Sequence, residues 1–408
     1  MNKNVPKLRF KGFEDEWKSV SLGELFIFKN GLNKEKEFFG KGTPIVNYTD
    51  VYRKNELTSK NILGLVEVND KEKDNYSVRK GDVFFTRTSE TIEEIGFTAV
   101  VTEAVRDTVF SGFVLRARPI NNLLNVYFCK YCFSTFSARK EIITKSSYTT
   151  RALTSGSLLK GMNIYIPSLQ EQEKIANLLT KVDNLIEEQD GKVSDLEQYK
   201  KGVMQKIFSQ EIRFKDENGC DYPEWEKKEL REILIEDLYP VEKPKKPYLK
   251  LSVRSHAKGT FTTLVEKPEE VMMDTLYEVK PNQLIVNITF AWEHAIAIIK
   301  NSDENKLVSH RFPTYKFDIN SYYKFYEYVI KQKRMKYDLS LASPGGAGRN
   351  RVLNKKEFLQ IEVVHPCIAE QKKIADFLSN IDNIIEEEKS KLEDLKKWKK
   401  GLLQQMFV

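Results

Sequence analysis

The chain has 408 residues, too many for one ordinary hydrophobic core, and at about 150 residues per domain it holds two to three units. Apolar side chains make up 40% and aromatics 11%, enough for packed cores, while 31% charged residues, a net charge of +7 and a mean hydropathy of −0.49 describe a chain at home in water. With no apolar run near the roughly 18 residues that span a bilayer, no signal segment after the basic N-terminus, and too few cysteines (4) for a secreted disulfide scaffold, the expected location is the cytoplasm.

In chain order, the first element is a lead that ends in tryptophan, LRFKGFEDEW at residues 8–17. β-Branched and aromatic runs predict strands at 43–51, 83–88 and 97–101, with Lys80-Gly81-Asp82 as a turn before the second. Residues 123–143 have the apolar spacing of one amphipathic helix. It carries Cys129 and Cys132, but a structural zinc needs four ligands; Cys220 and Cys367 stand alone and no histidine is near, so two thiols on a buried helix face is the better reading. A long helix follows Pro167. The order then begins again, with IRFKDENGCDYPEW at 212–225, a Pro281-Asn282 turn before a β-rich run, a helix at 322–335 and a second long helix after Pro366.

Residues 167–208 and 366–407 align without a gap, with 20 identities in 42 positions and a shared P-x3-EQ-x-KIA opening. In heptad register the first copy places Ile175, Leu179, Val182, Ile186, Val193 and Leu196 on one seam, and the second places Ile374, Leu378, Ile381, Ile385, Leu392 and Leu395 there. Both seams are broken at the same two positions, Gln189 and Lys200 in one copy, Glu388 and Lys399 in the other. Each copy needs a helical partner, most simply the other. Leu178, Leu185 and Tyr199, matched by Phe377, Ile384 and Trp398, widen the stripe, either against the adjoining module or toward another protein. The expected layout is a module at 1–166, a helix at 167–209, a module at 210–365 and a helix at 366–408, each module α+β in class. Residues 171–208 hold eight acidic and six basic side chains and 370–407 eight of each, which leaves the rest of the chain near +9, the sign suited to phosphate backbones.

The duplicated RFxGFxxEW-like lead, the turn with its strand, and the P-x3-EQ-x-KIA helix opening, in that order over essentially the whole chain, resemble the DNA-specificity (S) subunits of type I restriction-modification systems. The resemblance implies two target recognition domains separated by two long helices that form an antiparallel coiled coil, with pseudo-two-fold duplication. Each domain would read one half of a bipartite site in double-stranded DNA. It also implies a non-catalytic chain that works with two methyltransferase subunits and, in restriction complexes, motor-nuclease subunits. S-adenosylmethionine, ATP and Mg are then cofactors of those partners, with none on this chain. A helix of about 38 residues is roughly 57 Å long, more than one turn of DNA, so its length would act as a ruler between half-sites. The seams alone would equally suit a coiled-coil adaptor whose two modules bind proteins.

Catalytic motifs do not appear. The chain has no (N/D)PP(Y/F) tetrapeptide or Gly-rich cofactor loop of an adenine methyltransferase, and GKGTP at 40–44 and SPGGAGRNR at 343–351 lack the Lys-Ser/Thr of a nucleotide-binding loop. His256, His294, His310 and His365 show no metal-binding spacing. DNA contacts need Arg, Lys, Asn and hydroxyl side chains on loops or strand ends. In the first module these are Arg53 and Lys54, then Arg87, Thr88 and Ser89, then Lys145, Ser146, Ser147, Tyr148, Thr149, Thr150 and Arg151, the last run expected as a loop. In the second they are Arg254, His256 and Lys258, then Asn287 and Thr289, then Arg349, Asn350 and Arg351 beside glycines that would admit a phosphate. Taken singly, each also suits a solvated loop; Arg87 equally suits pairing with Asp82 or Glu90, and Trp292 a core.

Overall fold

The computed structural model describes residues 4–345 and 351–408. The chain forms two compact units, Met1–Val193 with Glu387–Val408, and Ser194–Glu386. Each unit therefore combines one module with part of both long helices, Leu169–Phe208 and Ile368–Gln405. Among the described residues no helix is long and apolar enough to cross a membrane.

In the first unit, Lys18–Ser21 pairs antiparallel with Asn163–Ile166, so the start of the module is tied to the strand that leads into the long helix. A helical turn, Leu22–Leu25, follows because Ser21 and Glu24 form a capping box. The main sheet has the order Phe26–Asn30, Val114–Pro119, Val83–Thr86, Thr98–Val101, Glu56–Leu57. Its strand residues alternate between two cores. Val83, Phe85, Val100 and Leu115 join Phe128, Tyr131, Ile175 and Leu179 on one side; Phe84, Ala99, Val101 and Val114 join Val46, Val51 and Phe110 on the other. A sheet covered on both faces reads as continuous apolar sequence, as VFFT does here.

The second unit repeats this frame. Glu226–Glu229 pairs with Glu362–His365, Glu229 and Glu232 cap the turn Leu230–Ile233, and the sheet runs Leu234–Glu236, Thr314–Phe317, Leu284–Val286, Ile296–Ile298. The units differ behind that sheet. The first has three strands there (Gly64–Val66, Phe39–Val46, Val109–Phe110), the second five, which end in the hairpin Tyr248–Val253 and Thr260–Val265.

Several local expectations need correction. The helix expected at 123–143 is two helices, Val126–Cys132 and Phe136–Lys145, because Thr135 Oγ1 accepts from the Ala138 amide (3.2 Å) and starts a new helix. Its counterpart is likewise Tyr323–Val329 and Lys333–Leu341. The strand expected to reach residue 51 stops at Val46; Asn47 and Asp50 cap a helical turn, Tyr48–Val51. Cys129 and Cys132 are buried in the apolar core, and desolvation pushes the Cys132 thiol up.

Each long helix is anchored at its first turn by the Glu-Gln of the shared opening. Arg9 grips buried Glu171 through Nε (2.7 Å) and Nη2 (2.8 Å), and Arg213 grips Glu370 in the same way at 3.0 Å each, with Trp225 Nε1 donating as well (2.8 Å). The glutamines latch the module backbone. Gln172 Nε2 donates to the carbonyls of Leu123 (2.9 Å) and Pro167 (3.0 Å) while its Oε1 accepts from Asn125 (2.8 Å). Gln371 donates to Asn320 (3.1 Å) and Pro366 (2.7 Å) and accepts from Tyr322 (2.7 Å).

The seam positions are buried or half-buried along both helices. In the first unit the helix segments run antiparallel: Lys399 pairs with Asp183 (2.6 Å), and six residues further along the first helix Gln189 Nε2 donates to the side chain (2.6 Å) and carbonyl (2.9 Å) of Glu388. Lys200 and Asp382 form the corresponding pair in the second unit. The polar breaks in the heptads are thus each other's partners or ion-pair partners of an aspartate.

Gln172→Ala is expected to lower the stability of the first unit by on the order of 2 kcal/mol, since it strands the buried Pro167 carbonyl and removes two part-buried backbone bonds; thermal melting measures this. A second prediction concerns pH. Hydrogen bonds from Gln189, then from Lys391 (2.8 Å) and Lys192 (3.0 Å), hold the Glu388 carboxyl at about 2, below its ordinary 4.5. A depressed carboxylate stabilises the fold above its ordinary value and loses that contribution as pH falls toward the depressed one. The gap in melting temperature between wild type and Glu388→Gln is therefore expected at neutral pH and should close between about pH 4.5 and 2.

Candidate nucleic-acid interface

Three candidate residues of the first module, Arg53, Tyr148 and Arg151, converge on the loop at 90–96. Three short strands build one side of it, Ser147–Tyr148, Ala152–Leu153 and Thr88–Ser89, so within the run at 145–151, expected as a loop, Ser147–Tyr148 is a strand and 149–151 is the tip of a hairpin. Its register brings Ser89 opposite Ala152. Arg151 pairs with Glu90 (3.2 Å), and Arg53 pairs with Glu94, which also accepts from Tyr52 Oη (2.8 Å). These donors pull the Glu94 carboxyl down. From below, Arg139 donates to the carbonyls of Glu93 (2.9 Å), Ile95 (2.6 Å) and Gly96 (2.9 Å) and lies 4.7 Å from the centre of the Phe97 ring. Burial lowers its pKa to about 10, still a cation at neutral pH.

The exposed part of this face comprises Arg53, Lys54, Lys145, Ser147, Tyr148, Thr149, Thr150 and Arg151. Thr88 is half-buried and Ser89 buried, and the Ser146 hydroxyl donates to the Ile142 carbonyl (2.7 Å). Arg87 pairs with neither Asp82 nor Glu90: its Nη1 donates to the Gly112 carbonyl (2.8 Å), while Asp82 is held by Arg118. A Cβ at Gly112 would lie 1.9 Å from Asn33 Oδ1, so a larger residue there would have to swing the Asn33 side chain aside.

The second module builds an equivalent face from its own three stretches. Ser255 Oγ donates to Glu293 Oε2 (2.7 Å), and the amides of His256 and Ala257 donate to the carbonyls of Glu293 (2.9 Å) and His294 (2.8 Å). Arg254 donates to the Thr260 carbonyl (2.7 Å) beside Phe261; His256 and Lys258 are exposed. Asn287 is buried, its Oδ1 accepting from Thr289 Oγ1 (2.7 Å). Trp292 is half-buried and donates to the Thr289 carbonyl (3.2 Å), with the Arg351 guanidinium 5.7 Å from its ring centre. Arg349 and Asn350 lie outside the described residues.

One pair of positions escaped sequence reasoning. The Arg87 amide donates to the Phe113 carbonyl, and at the corresponding place in the second unit Ile288 donates to Arg311. Phe113 is 65% exposed, and His310 and Arg311 are exposed as well. The signal was available: FSGF and VSHR occupy the same place before the strands Val114–Pro119 and Thr314–Phe317.

The family model described as "Type I restriction modification DNA specificity domain" matches twice, over residues 14–198 and 223–397. The chain belongs to that family. Similar proteins include the "Putative type I restriction enzyme MjaX specificity subunit" of Methanocaldococcus jannaschii, 24% identical over 98% of this chain and 95% of the relative. The type I restriction enzyme MjaVIII specificity subunit of that organism is 26% identical over 60% of this chain and 61% of its own. Among solved structures, the type I restriction-modification system S subunit from M. genitalium aligns over 99% of both chains (TM-score 0.55, 16% identity). A structure from work on complex assembly and conformational transition of the type I R-M system aligns over 96% of this chain and 97% of that one (TM-score 0.54, 14% identity).

This specificity subunit recognises DNA sequence. Arg53 (φ 55°), His256 (φ 63°) and Ala257 (φ 51°) hold left-handed backbone in the candidate loops, a strained conformation for residues other than glycine. Arg351→Ala is expected to weaken DNA binding by about 1–3 kcal/mol and to relax discrimination in one half-site alone, measured with duplexes altered in one half-site at a time.

Proposed function

We propose that this specificity subunit directs adenine methylation, and cleavage where nuclease subunits join, by partner subunits that carry the chemistry. S-adenosylmethionine would be bound by two methyltransferase subunits, and ATP with Mg by the motor-nuclease subunits. The carrying observation is the repetition of one frame with two different faces: both units use the same anchors, Arg9 with Glu171 and Arg213 with Glu370, and place unlike side chains at equivalent points, Phe113 against Arg311 and Arg87 against Ile288. A protein adaptor would not need two such basic, hydroxyl-rich faces.

Apolar residues on the long helices support paired partners. Leu178 and Phe377 pack on their own modules, but Leu185 (46%), Trp398 (47%), Tyr199 (56%) and Ile384 (46%) are exposed. In sequence Leu185 and Trp398 lie within two residues of Asp183 and Lys399, and Ile384 and Tyr199 within two of Asp382 and Lys200, one exposed apolar pair in each unit. The same exposed apolar pair in each unit suits two copies of one subunit.

Mapping methylated adenines in cells with and without this chain should show one bipartite motif that depends on it. Exchange of residues 1–166 for the module of a relative should change one half of that motif; a motif unaffected by either manipulation refutes the proposal.

A further inference from the structure

In the first unit Tyr131, on the module helix Val126–Cys132, is buried against the long helices. Its Oη donates to Asp183 Oδ2 (2.8 Å) and lies 3.2 Å from Thr180 Oγ1. Asp183 Oδ1 takes Lys399 of the second long helix (2.6 Å), whose Nζ is 5.8 Å from the centre of the Tyr131 ring. Three segments, module, first helix and second helix, thus meet in one closed set of contacts. The second unit builds the same set: Tyr328 Oη donates to Asp382 Oδ2 (2.8 Å), Asp382 Oδ1 pairs with Lys200, and Lys200 Nζ is 5.2 Å from the centre of the Tyr328 ring.

Each tyrosine is also mechanically close to its face. The helix of Tyr131 is followed, after the Thr135 cap, by the helix Phe136–Lys145, which carries Arg139 under the loop at 90–96 and runs directly into the hairpin. Two residues after Tyr328, the Ile330 carbonyl accepts from His294 Nε2 (2.6 Å), and His294 holds the loop of Ala257. Burial pulls the His294 imidazole below its ordinary value, which keeps it neutral with Nε2 as the donor. The two modules differ in their reading side chains, yet both retain this tyrosine, and the helices supply aspartate and lysine to it at the 199-residue repeat.

We propose that Tyr131 and Tyr328 are positioning residues: each hydroxyl fixes the angle of its reading face on the helix pair, so the spacing accepted between half-sites depends on both. This rests on the reading of the modules as half-site readers. A short charge-assisted hydrogen bond from a buried tyrosine to a part-buried carboxylate resists rotation, whereas apolar packing alone lets a module slip by a rotamer.

The test uses the full chain with its partner subunits in cells and maps methylated adenines for wild type, Tyr131→Phe and Tyr328→Phe. The expected result is that both half-sites stay the same while motifs with a spacer one base pair longer or shorter rise about tenfold relative to the native spacer, the scale of one lost charge-assisted hydrogen bond. Val46→Ala, which loosens a core away from this contact, should leave the spacer profile unchanged. A native spacer profile in both phenylalanine variants overturns the proposal. Should they abolish methylation, Lys399→Met and Lys200→Met decide, since both tyrosines remain: a broadened spacer supports the proposal and a native one overturns it. A wild-type chain that yields no bipartite motif overturns the underlying reading instead, before any variant is considered.

Discussion

Glu171 and Glu370 sit in the first turns of the long helices with almost no access to water, where an unpaired carboxylate would cost several kcal/mol. Bidentate arginines from the lead segments, Arg9 and Arg213, remove that cost and in doing so fix where each lead must lie. The neighbouring glutamines extend the constraint to the backbone before each module helix. With both ends of a module tied to the same helical turn, the sheet and the helices behind it have one way to pack. The place of the candidate face follows from that attachment.

The frame so defined separates stability from specificity. Apolar seams, anchors and tyrosine contacts occur in both units with nearly the same geometry. The faces do not. In the first, a three-stranded hairpin sheet and a loop pinned by Arg139 carry exposed hydroxyls and arginines; in the second, a loop in left-handed backbone leans on the turn of Glu293, and Arg351 lies over Trp292. A site that reads DNA through few contacts can change its side chains without disturbing the core, because those side chains stand on loops and strand ends supported by buried neighbours such as Ser89 and Asn287.

Sequence patterning read the long elements well and the short ones less well. The heptads placed the seam residues, since helical burial depends on a period that repeats over some ten turns. The module helices were merged across Thr135 because an N-cap threonine inside an apolar run differs little from a helical one. Tyr48–Val51 was taken for strand on its β-branched and aromatic residues, although the Asn47–Asp50 cap was there to be seen. The hairpin at 147–153 was missed because its partner, Thr88–Ser89, lies far away in the chain. Phe113 escaped because a single exposed aromatic has no periodicity.

The sequence by itself determined the duplication, the helix pairing and the family, all carried by repeated local patterns that survive without knowledge of long-range contacts. Only the tertiary structure decided which scattered residues share a face. Arg53, Glu94, Arg151 and Arg139 become neighbours through sheet order and helix docking, and Lys200 and Lys399, polar flaws in a heptad when read along the chain, become partners of Asp382 and Asp183. Such proximity depends on how separate segments pack, which spacing along one segment does not encode.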